Sequence, residues 1–152
     1  MKTILFLLFV FTIPNSSWGQ TQNPQLDSAL AKKLGGDEYG MKNYVLVILK
    51  TGPNTTKDKT FIDSCFLGHL NNIKRLAALN QLVVSGPFGK NDKSFRGLFI
   101  LNVKTTEEAN LLLATDPAIK AELLKPELYP WYGSAALPEY LPAHDKIWKT
   151  GF

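Results

Sequence analysis

The sequence predicts an α+β fold of the ferredoxin-like type, in which the elements follow one another as βαββαβ. Two amphipathic helical segments and four apolar or extended segments occur in that order along the chain. A short polar stretch joins the two middle strands, as in a hairpin. We find no internal repeat and no domain linker, and 152 residues suit one domain with a substantial core.

The N-terminus has the pattern of a secretory signal peptide, which we predict over residues 1–19. Lys2 precedes an apolar run over residues 4–13, and Ser17 and Gly19 stand at the small positions of a cleavage site. As a helix this run spans only ~15 Å, too short for a hydrocarbon core of ~30 Å, so we expect cleavage rather than an anchor. The prediction is an exported protein, periplasmic or secreted, with no membrane contact after cleavage.

An N-terminal extension, residues 20–41, precedes the domain. Its leucines at 26, 30 and 34, followed by Gly35 and Gly36, predict a short helix with a glycine stop. The continuous apolar run over residues 44–49 is typical of a central strand covered on both faces. A turn-rich loop over residues 51–59 follows it.

The first long helix carries a histidine on its apolar side. Five residues spaced by four, three, four and three share one stripe at ~100° per residue. They are Ile62, Phe66, His69, Ile73 and Leu76. We therefore expect His69 to lie on the buried face. The apolar residues 82–84 predict the second strand, which the turn residues 85–89 should end.

The second half repeats the strand and helix pattern. A polar loop at residues 90–93 precedes a third strand, opened by Arg96 and covering residues 98–103. Thr105 and Glu108 predict a capping box for the second helix. That helix should end near residue 115, because Pro117 disfavours helical geometry at the residue before it.

The last extended segment, residues 123–132, contains prolines 126 and 130. Because proline cannot donate a hydrogen bond to a neighbouring strand, we predict an edge or irregular strand there. The Pro- and aromatic-rich residues 138–152 are predicted to form a C-terminal arm laid across a surface. Two helices on one face leave the other face of an apolar sheet uncovered. Pairing of two sheets in a homodimer would cover it.

The composition argues against a nucleic-acid partner, an internal disulfide and a metal site. The formal net charge is only +4, and its lysines are scattered among acidic residues, so we predict no nucleic-acid partner. Cys65 is the only cysteine and cannot form an internal disulfide, so we expect a buried thiol. Two separate histidines and one cysteine do not provide a metal site, and we predict neither metal nor cofactor.

Several motifs, in order and spacing, resemble the YCII-related (YciI-like) family of the dimeric α+β barrel group. The resemblance spans roughly residues 42–137 and rests on YVLVILKTGP, GHLNNIKRL, LVVSGPFG, RGLFIL, TEEANLLLATDPAIKAELL and PWYG. It implies a ferredoxin-like protomer in a dimeric α/β barrel. It also implies a pocket faced by a helix histidine and the aspartate of a DP motif, here His69 and Asp116. Residues 20–41 and the tail lie outside the family core.

An imidazole beside a carboxylate is held in one tautomer and suits general acid/base chemistry near neutral pH. Two other interpretations stay open. In the first, His69 is a core histidine whose ring hydrogen-bonds to a backbone carbonyl. Asp116 before Pro117 is also the ordinary N-cap of a helical turn, although a capping carboxylate can orient a ring as well.

Five further residues are candidate ligand contacts: Pro87, Phe88, Arg96, Trp131 and Tyr132. Arg96 is placed to pair with an anionic ligand or to be a solvated hairpin charge. Each of the three aromatic residues either lines an apolar pocket or packs against neighbouring side chains without contacting a ligand.

The functional hypothesis is an exported YciI-like enzyme that uses His69 and Asp116 on a small organic molecule. The resemblance implies proton-transfer chemistry such as isomerisation, lyase action or dehalogenation. The alternatives are a non-catalytic dimer that binds a small ligand, and a structural module whose tail docks a partner.

Overall fold

The computed structural model describes residues 23–150, so the predicted signal peptide, residues 1–19, lies outside the described residues. The elements in chain order are α1 (Ser28–Leu34), β1 (Met41–Thr51), α2 (Lys59–Ala78), β2 (Leu82–Pro87), β3 (Phe95–Leu101), α3 (Thr106–Leu113), α4 (Pro117–Lys120) and β4 (Leu124–Ser134). A 3-10 turn (Leu137–Tyr140) and α5 (Leu141–His144) follow.

The four strands form one antiparallel sheet in the order β2-β3-β1-β4. This order, with β1 in the centre beside β3 and β4, is the ferredoxin-like arrangement that the sequence predicts. The longest ladder joins β1 to β4, from Met41 opposite Ser134 to Thr51 opposite Leu124. The α+β class and the antiparallel sheet are therefore confirmed.

The core lies between the helices and one face of the sheet. Alternate residues of the central strands point into it, because side chains of a strand alternate between faces. The buried strand residues on this face are Val45, Val47, Leu49, Phe99 and Leu101. Helices α2, α3 and α4 cover them with Leu76, Leu113 and Ala118 among others.

The opposite face of the sheet is apolar and only half-buried in a single chain. Leu46 stands opposite Ile100, and Ile48 opposite Leu98, all with partial exposure. The continuous apolar run of β1 is thus buried alternately in one protomer, instead of on both faces. We call the surface of Leu46, Ile48, Leu98 and Ile100 the open face.

Two strands that contain proline differ from the sequence prediction. The second strand does not end before residue 85 but continues to Pro87, and β4 is regular despite Pro126 and Pro130. Both strands are edges, so an imino nitrogen without hydrogen can face away from the ladder at no cost. The prediction that β4 is an edge strand is confirmed.

Strand β3 also starts and ends earlier than predicted, at Phe95 and Leu101. Asn91 closes the preceding loop: its side chain donates to the carbonyl of Phe95 at 2.8 Å and accepts from that residue's amide at 3.0 Å. Thr105 caps α3 as expected, but Glu108 accepts from the amide of Lys104 rather than from Thr105.

The described segments before β1 and after β4 both contact the domain; on the N-terminal side, Lys42 donates to the carbonyl of Leu34 at 3.2 Å. Helix α1 stops at Gly35, whose φ of +74° is the left-handed conformation that glycine adopts readily. At the other end, the Tyr140 hydroxyl donates to the carbonyl of Val83 next to the sheet. Within residues 23–150, no helix has both the length and the hydropathy needed to cross a membrane.

Candidate functional site

His69 lies in the middle of α2 with its ring turned into the core, where it is 8 % exposed. The ring is nearly parallel to Phe99 of β3, with centroids 5.8 Å apart. Phe66, one turn earlier in α2, meets it edge-on at 6.1 Å. The predicted position of His69 on the buried face is confirmed, and two aromatic rings restrict its rotation.

Asp116 precedes α4 and is almost completely buried, with 1 % of its surface exposed. Its Oδ1 accepts hydrogen bonds from the amides of Ala118 at 2.9 Å and Ile119 at 3.2 Å, which makes it the N-cap of α4. Its Oδ2 lies 2.7 Å from Nδ1 of His69. One carboxylate therefore both caps a helix and holds the imidazole, so the two interpretations of Asp116 are compatible.

The position of α4 is set at both of its ends. At its start it touches α2 beside Gly68. At its end the loop after β1 holds it: Asn54 donates to the carbonyl of Ala121 at 2.8 Å, and the amide of Gly52 donates to that of Leu123 at 2.9 Å. These contacts bring Asp116 to the histidine across a sequence separation of 47 residues.

The charge state of Asp116 follows from two opposing effects. Burial raises the pKa of this carboxyl, since a charged group loses water in the interior. The hydrogen bond and the charge of His69 lower it, and so do the amide of Ile119 and the side chain of Asn72. The pKa of Asp116 lies below its ordinary value as a result, and the group is a carboxylate at neutral pH.

Asn72 is a further member of the site that the sequence analysis missed. It is buried one turn after His69, and its amide nitrogen lies 3.4 Å from Oδ2 of Asp116. Its carbonyl oxygen accepts from Arg75 at 2.7 Å, and Arg75 donates also to the hydroxyl of Thr115 at 2.8 Å. A polar residue three positions after His69 was the available signal.

A cavity of about 340 Å³ opens beside the ring of His69. The walls are mostly apolar and come from α2 on one side and from β2 and β3 on the other. The α2 wall consists of Phe66, His69, Leu70, Ile73 and Lys74, and the strand wall of Ser85, Gly86, Pro87, Arg96, Gly97 and Phe99. Leu49, Leu124 and His144 complete the lining.

Of the predicted ligand contacts, Pro87 and Arg96 line this cavity, and the other three do not. Phe88 instead packs on Phe95 with ring centroids 5.6 Å apart. Trp131 stands opposite Tyr44 in the ladder and packs on it at 5.7 Å, on the sheet face away from the helices. Tyr132 lies at the far end of β4, where its hydroxyl donates to Asp37.

Arg96 reaches the cavity through an irregularity of the sheet. Leu49 of β1 pairs with Gly97 and the next residue, Lys50, pairs with Phe95, so Arg96 is the extra residue of a β-bulge. A bulge re-aims the side chain that it carries. The guanidinium carbon lies 5.7 Å from the ring centroid of Phe66, on the helix side of the sheet.

The C-terminal segment adds a second histidine to the cavity. His144 of α5 is among the lining residues, and its ring lies edge-on to Tyr140 at 6.2 Å. It is the one residue of the described arm, 138–150, that lines the cavity. The two histidines of the chain, far apart in sequence, therefore border one space.

A second hollow of about 450 Å³ lies at the other end of the sheet, bordered by Asp37, Lys42, Lys104 and Tyr132. The hydrogen bond to Asp37 raises the pKa of Tyr132 to about 12. This hollow is larger, yet all four polar groups are at the surface or near it, and no buried acid/base pair faces it. We regard the cavity at His69 as the candidate site.

The geometry permits proton transfer at one atom. In the neutral ring that donates from Nδ1 to the Asp116 carboxylate, the other ring nitrogen, Nε2, carries no proton and can accept one. Within residues 23–150 no side chain or backbone group hydrogen-bonds to Nε2. No three His, Cys, Asp or Glu side chains of the same residues converge as metal ligands would.

Comparisons with known proteins add little to this geometry. No protein-family model matches the chain, and no curated protein matches it. A solved structure that resembles it is 5-chloro-2-hydroxyhydroquinone dehydrochlorinase (TftG) from Burkholderia phenoliruptrix AC1100, in complex with 2,5-dihydroxybenzoquinone. The identity is 22%, the match covers 57% of this chain and 92% of that chain, and the TM-score is 0.42. Nothing about the activity of this chain follows from so distant a likeness.

Proposed function

We propose that the protein is an exported, homodimeric enzyme of the YciI-like family that carries out acid/base chemistry on a small organic molecule. His69 is the general base and acid, and Asp116 orients it. The single observation that carries this proposal is the 2.7 Å contact between Nδ1 of His69 and Oδ2 of Asp116 at the edge of a cavity.

The first chemical step follows from the tautomer. Nε2 of His69 takes a proton from a bound molecule, and the imidazolium that forms is stabilised by the Asp116 carboxylate. The same nitrogen then returns the proton at another position or to a leaving group. Proton-transfer isomerisation, elimination by a lyase and dehydrohalogenation can all begin with such a proton removal, so the site supports this group of reactions without selecting one.

The size and lining of the cavity define the class of molecule. A volume of about 340 Å³ is near the lower end of the range for small-ligand sites, about 300–1,000 Å³. Phe66, Phe99 and Ile73 supply apolar walls. A compact, largely apolar molecule fits these walls better than a sugar or a peptide does.

Family membership, dimerisation and export have separate supports. The motif resemblance over residues 42–137 supports the family. The apolar open face supports a dimer, because exposed apolar surface of this kind is commonly buried by a partner. The charged start, the apolar run and the small cleavage-site residues support export.

The second candidate is a binding protein that uses the same cavity without chemistry. The position of His144 favours it, since a segment outside the family core then borders the entry. An enzyme and a binding protein respond differently to the loss of His69. Replacing a base that acts only in the reaction lowers kcat, whereas replacing a ligand contact weakens affinity.

The test is a screen for C–H exchange in D₂O, read by proton NMR, with small enols, phenols, halogenated phenols and carboxylic acids. Proton abstraction by Nε2 labels a substrate even where the product is unknown. We expect His69→Gln to abolish exchange and to leave ligand affinity within a few-fold of wild type. Exchange that survives this substitution contradicts the enzyme proposal. Binding of ligands without any exchange identifies the binding protein instead.

A further inference from the structure

The ionisable side chains that line the cavity are all basic: His69, Lys74, Arg96 and His144. No Asp or Glu is among the lining residues that the structure describes. The Asp116 carboxylate lies behind the ring of His69, almost fully buried, with both oxygens in hydrogen bonds. Among the residues that the structure describes, the cavity lining thus presents basic side chains and no acidic one.

Arg96 contributes a charge that no acidic residue of the described chain neutralises. Within residues 23–150 the ion pairs are those of Lys50 with Glu127, Lys59 with Asp63 and His69 with Asp116. The other arginine of the chain, Arg75, is held by Asn72 and Thr115.

The neighbours of Arg96 leave its donors available to a ligand. Its guanidinium lies over the face of Phe66, a contact that orients the group and uses none of its N–H bonds. The planar fork of donors that remains matches the two oxygens of a carboxylate, and a lysine offers no such match.

The apolar part of the cavity lies between Arg96 and His69. Phe66 contacts both groups, since it underlies the guanidinium of Arg96 and meets the ring of His69 edge-on. Phe99 is parallel to the His69 ring on the other side. Phe66 and Phe99 therefore form aromatic walls of the cavity near both groups.

We propose that the substrate of this site is a small monocarboxylate with a flat, unsaturated or aromatic body. Its carboxylate pairs with Arg96, and the atom that exchanges a proton lies at Nε2 of His69. The inference rests on the proposed function, because it names the substrate class for the same cavity. The β-bulge that turns Arg96 toward the helices places its guanidinium for this contact.

The test measures binding of benzoate and of benzamide, which have nearly the same shape and differ in charge. Chemical-shift titration in the intact protein, followed at the ring of His69, gives both dissociation constants. We expect benzoate to bind about tenfold more tightly than benzamide or better, as a charge-assisted hydrogen-bonded pair requires. Arg96→Gln should reduce this preference to within about twofold, and Arg96→Lys should retain only part of it.

Lys93→Gln is the matched control, because it removes the same charge from the exposed neighbouring loop and does not line the cavity. It should leave the benzoate preference unchanged. Arg96 is exposed, so its replacement should not prevent folding, and a thermal unfolding curve of each variant verifies this.

Three results overturn the inference: equal affinities for benzoate and benzamide, equal effects of Arg96→Gln and Lys93→Gln, or no binding of either probe at millimolar concentration. Failure of the proposed function looks different. Carboxylates then bind with the Arg96-dependent preference, but no exchange depends on His69. Conversely, if His69-dependent exchange occurs only with neutral molecules, the enzyme proposal is supported and the carboxylate inference is overturned.

Discussion

The ring of Pro117 occupies the space where a side chain on Gly68 would lie: a Cβ built on Gly68 would be 2.7 Å from Cγ of Pro117. This contact lets α4 approach α2 more closely than any other residue would allow. Asp116 stands one residue before the proline, and His69 one residue after the glycine. The absence of one methyl group thus permits the 2.7 Å contact of the candidate site.

We predict that Gly68→Ala weakens the site more than the fold. Alanine inside a helix is more favourable than glycine by about 1 kcal/mol of folding free energy. Overpacking against a rigid proline ring costs about 1–3 kcal/mol, so the net loss of unfolding free energy should be roughly 0–2 kcal/mol. The displaced α4 should nevertheless separate Asp116 from His69 and reduce turnover. Urea unfolding and the exchange assay measure the two effects on one sample.

Gly89→Ala serves as the control for that substitution, because a Cβ there meets nothing within 4 Å. Both its stability and its activity should match wild type. If Gly68→Ala also retains full activity, the close approach of the two helices is not needed at the site.

We predict that Asp116→Asn keeps α4 but reverses the tautomer of His69. Asparagine is as good an N-cap as aspartate, so its oxygen can take the amides of Ala118 and Ile119. Its NH₂ group then faces Nδ1 and forces the proton onto Nε2, which removes the base. Turnover should fall by about 10²–10⁴-fold. Nitrogen-15 shifts of the His69 ring report the tautomer directly.

Asp27→Asn is a matched control for the loss of a capping carboxylate, because Asp27 caps α1 away from the cavity. It should change neither turnover nor the His69 ring shifts. An Asp116→Asn protein with the wild-type tautomer would contradict the orienting role of Asp116.

The lowered pKa of Asp116 predicts an acid-dependent loss of stability. A group whose folded pKa is below its unfolded value stabilises the protein fully above the unfolded value, here 3.8, and loses this contribution as the pH falls through the folded pKa. The stability advantage of wild type over Asp116→Asn should therefore be constant at higher pH and shrink below 3.8. Urea unfolding of both proteins across the acid range measures it. An advantage that does not shrink contradicts the lowered pKa.

We predict that Leu46→Glu on the open face converts a dimer into monomers, because a carboxylate would be buried between two sheets. Leu111→Glu is the control, since Leu111 is 73 % exposed on α3 and faces water already. Sedimentation velocity at micromolar concentration should show dimers for wild type and for Leu111→Glu. A wild-type protein that is monomeric throughout would rule out the homodimer.

The order of the elements and the buried position of His69 could be predicted because both depend on local patterns. Spacing along one helix places His69, and the prolines identify β4 as an edge. The partner of His69 could not be found in this way, since the contact joins residues 47 apart through the packing of α2 on α4. Only the family resemblance pointed to Asp116.

The aromatic residues of β4 show a different limit. Trp131 and Tyr132 are adjacent, so they must point to opposite faces, and the register against β1 decides which face and which end each one occupies. That register follows from the whole ladder and is not readable in the segment itself. Asn72 lies outside the apolar stripe that contains His69, so residue spacing alone did not predict its burial.

Because Arg96 is the extra residue of a bulge, the charge of the cavity depends on the number of residues in β3 as well as on their identity. The bulge lies in the pairing of β3 with β1, so removing Phe95 would let Lys50 pair with Arg96 and turn the guanidinium to the open face, with every lining residue of the cavity still present. Two chains that both carry this arginine in an alignment can therefore differ in which ligands they accept. Insertions and deletions in this hairpin, more than substitutions in the cavity, are the changes by which such a protein would acquire or lose a preference for anions.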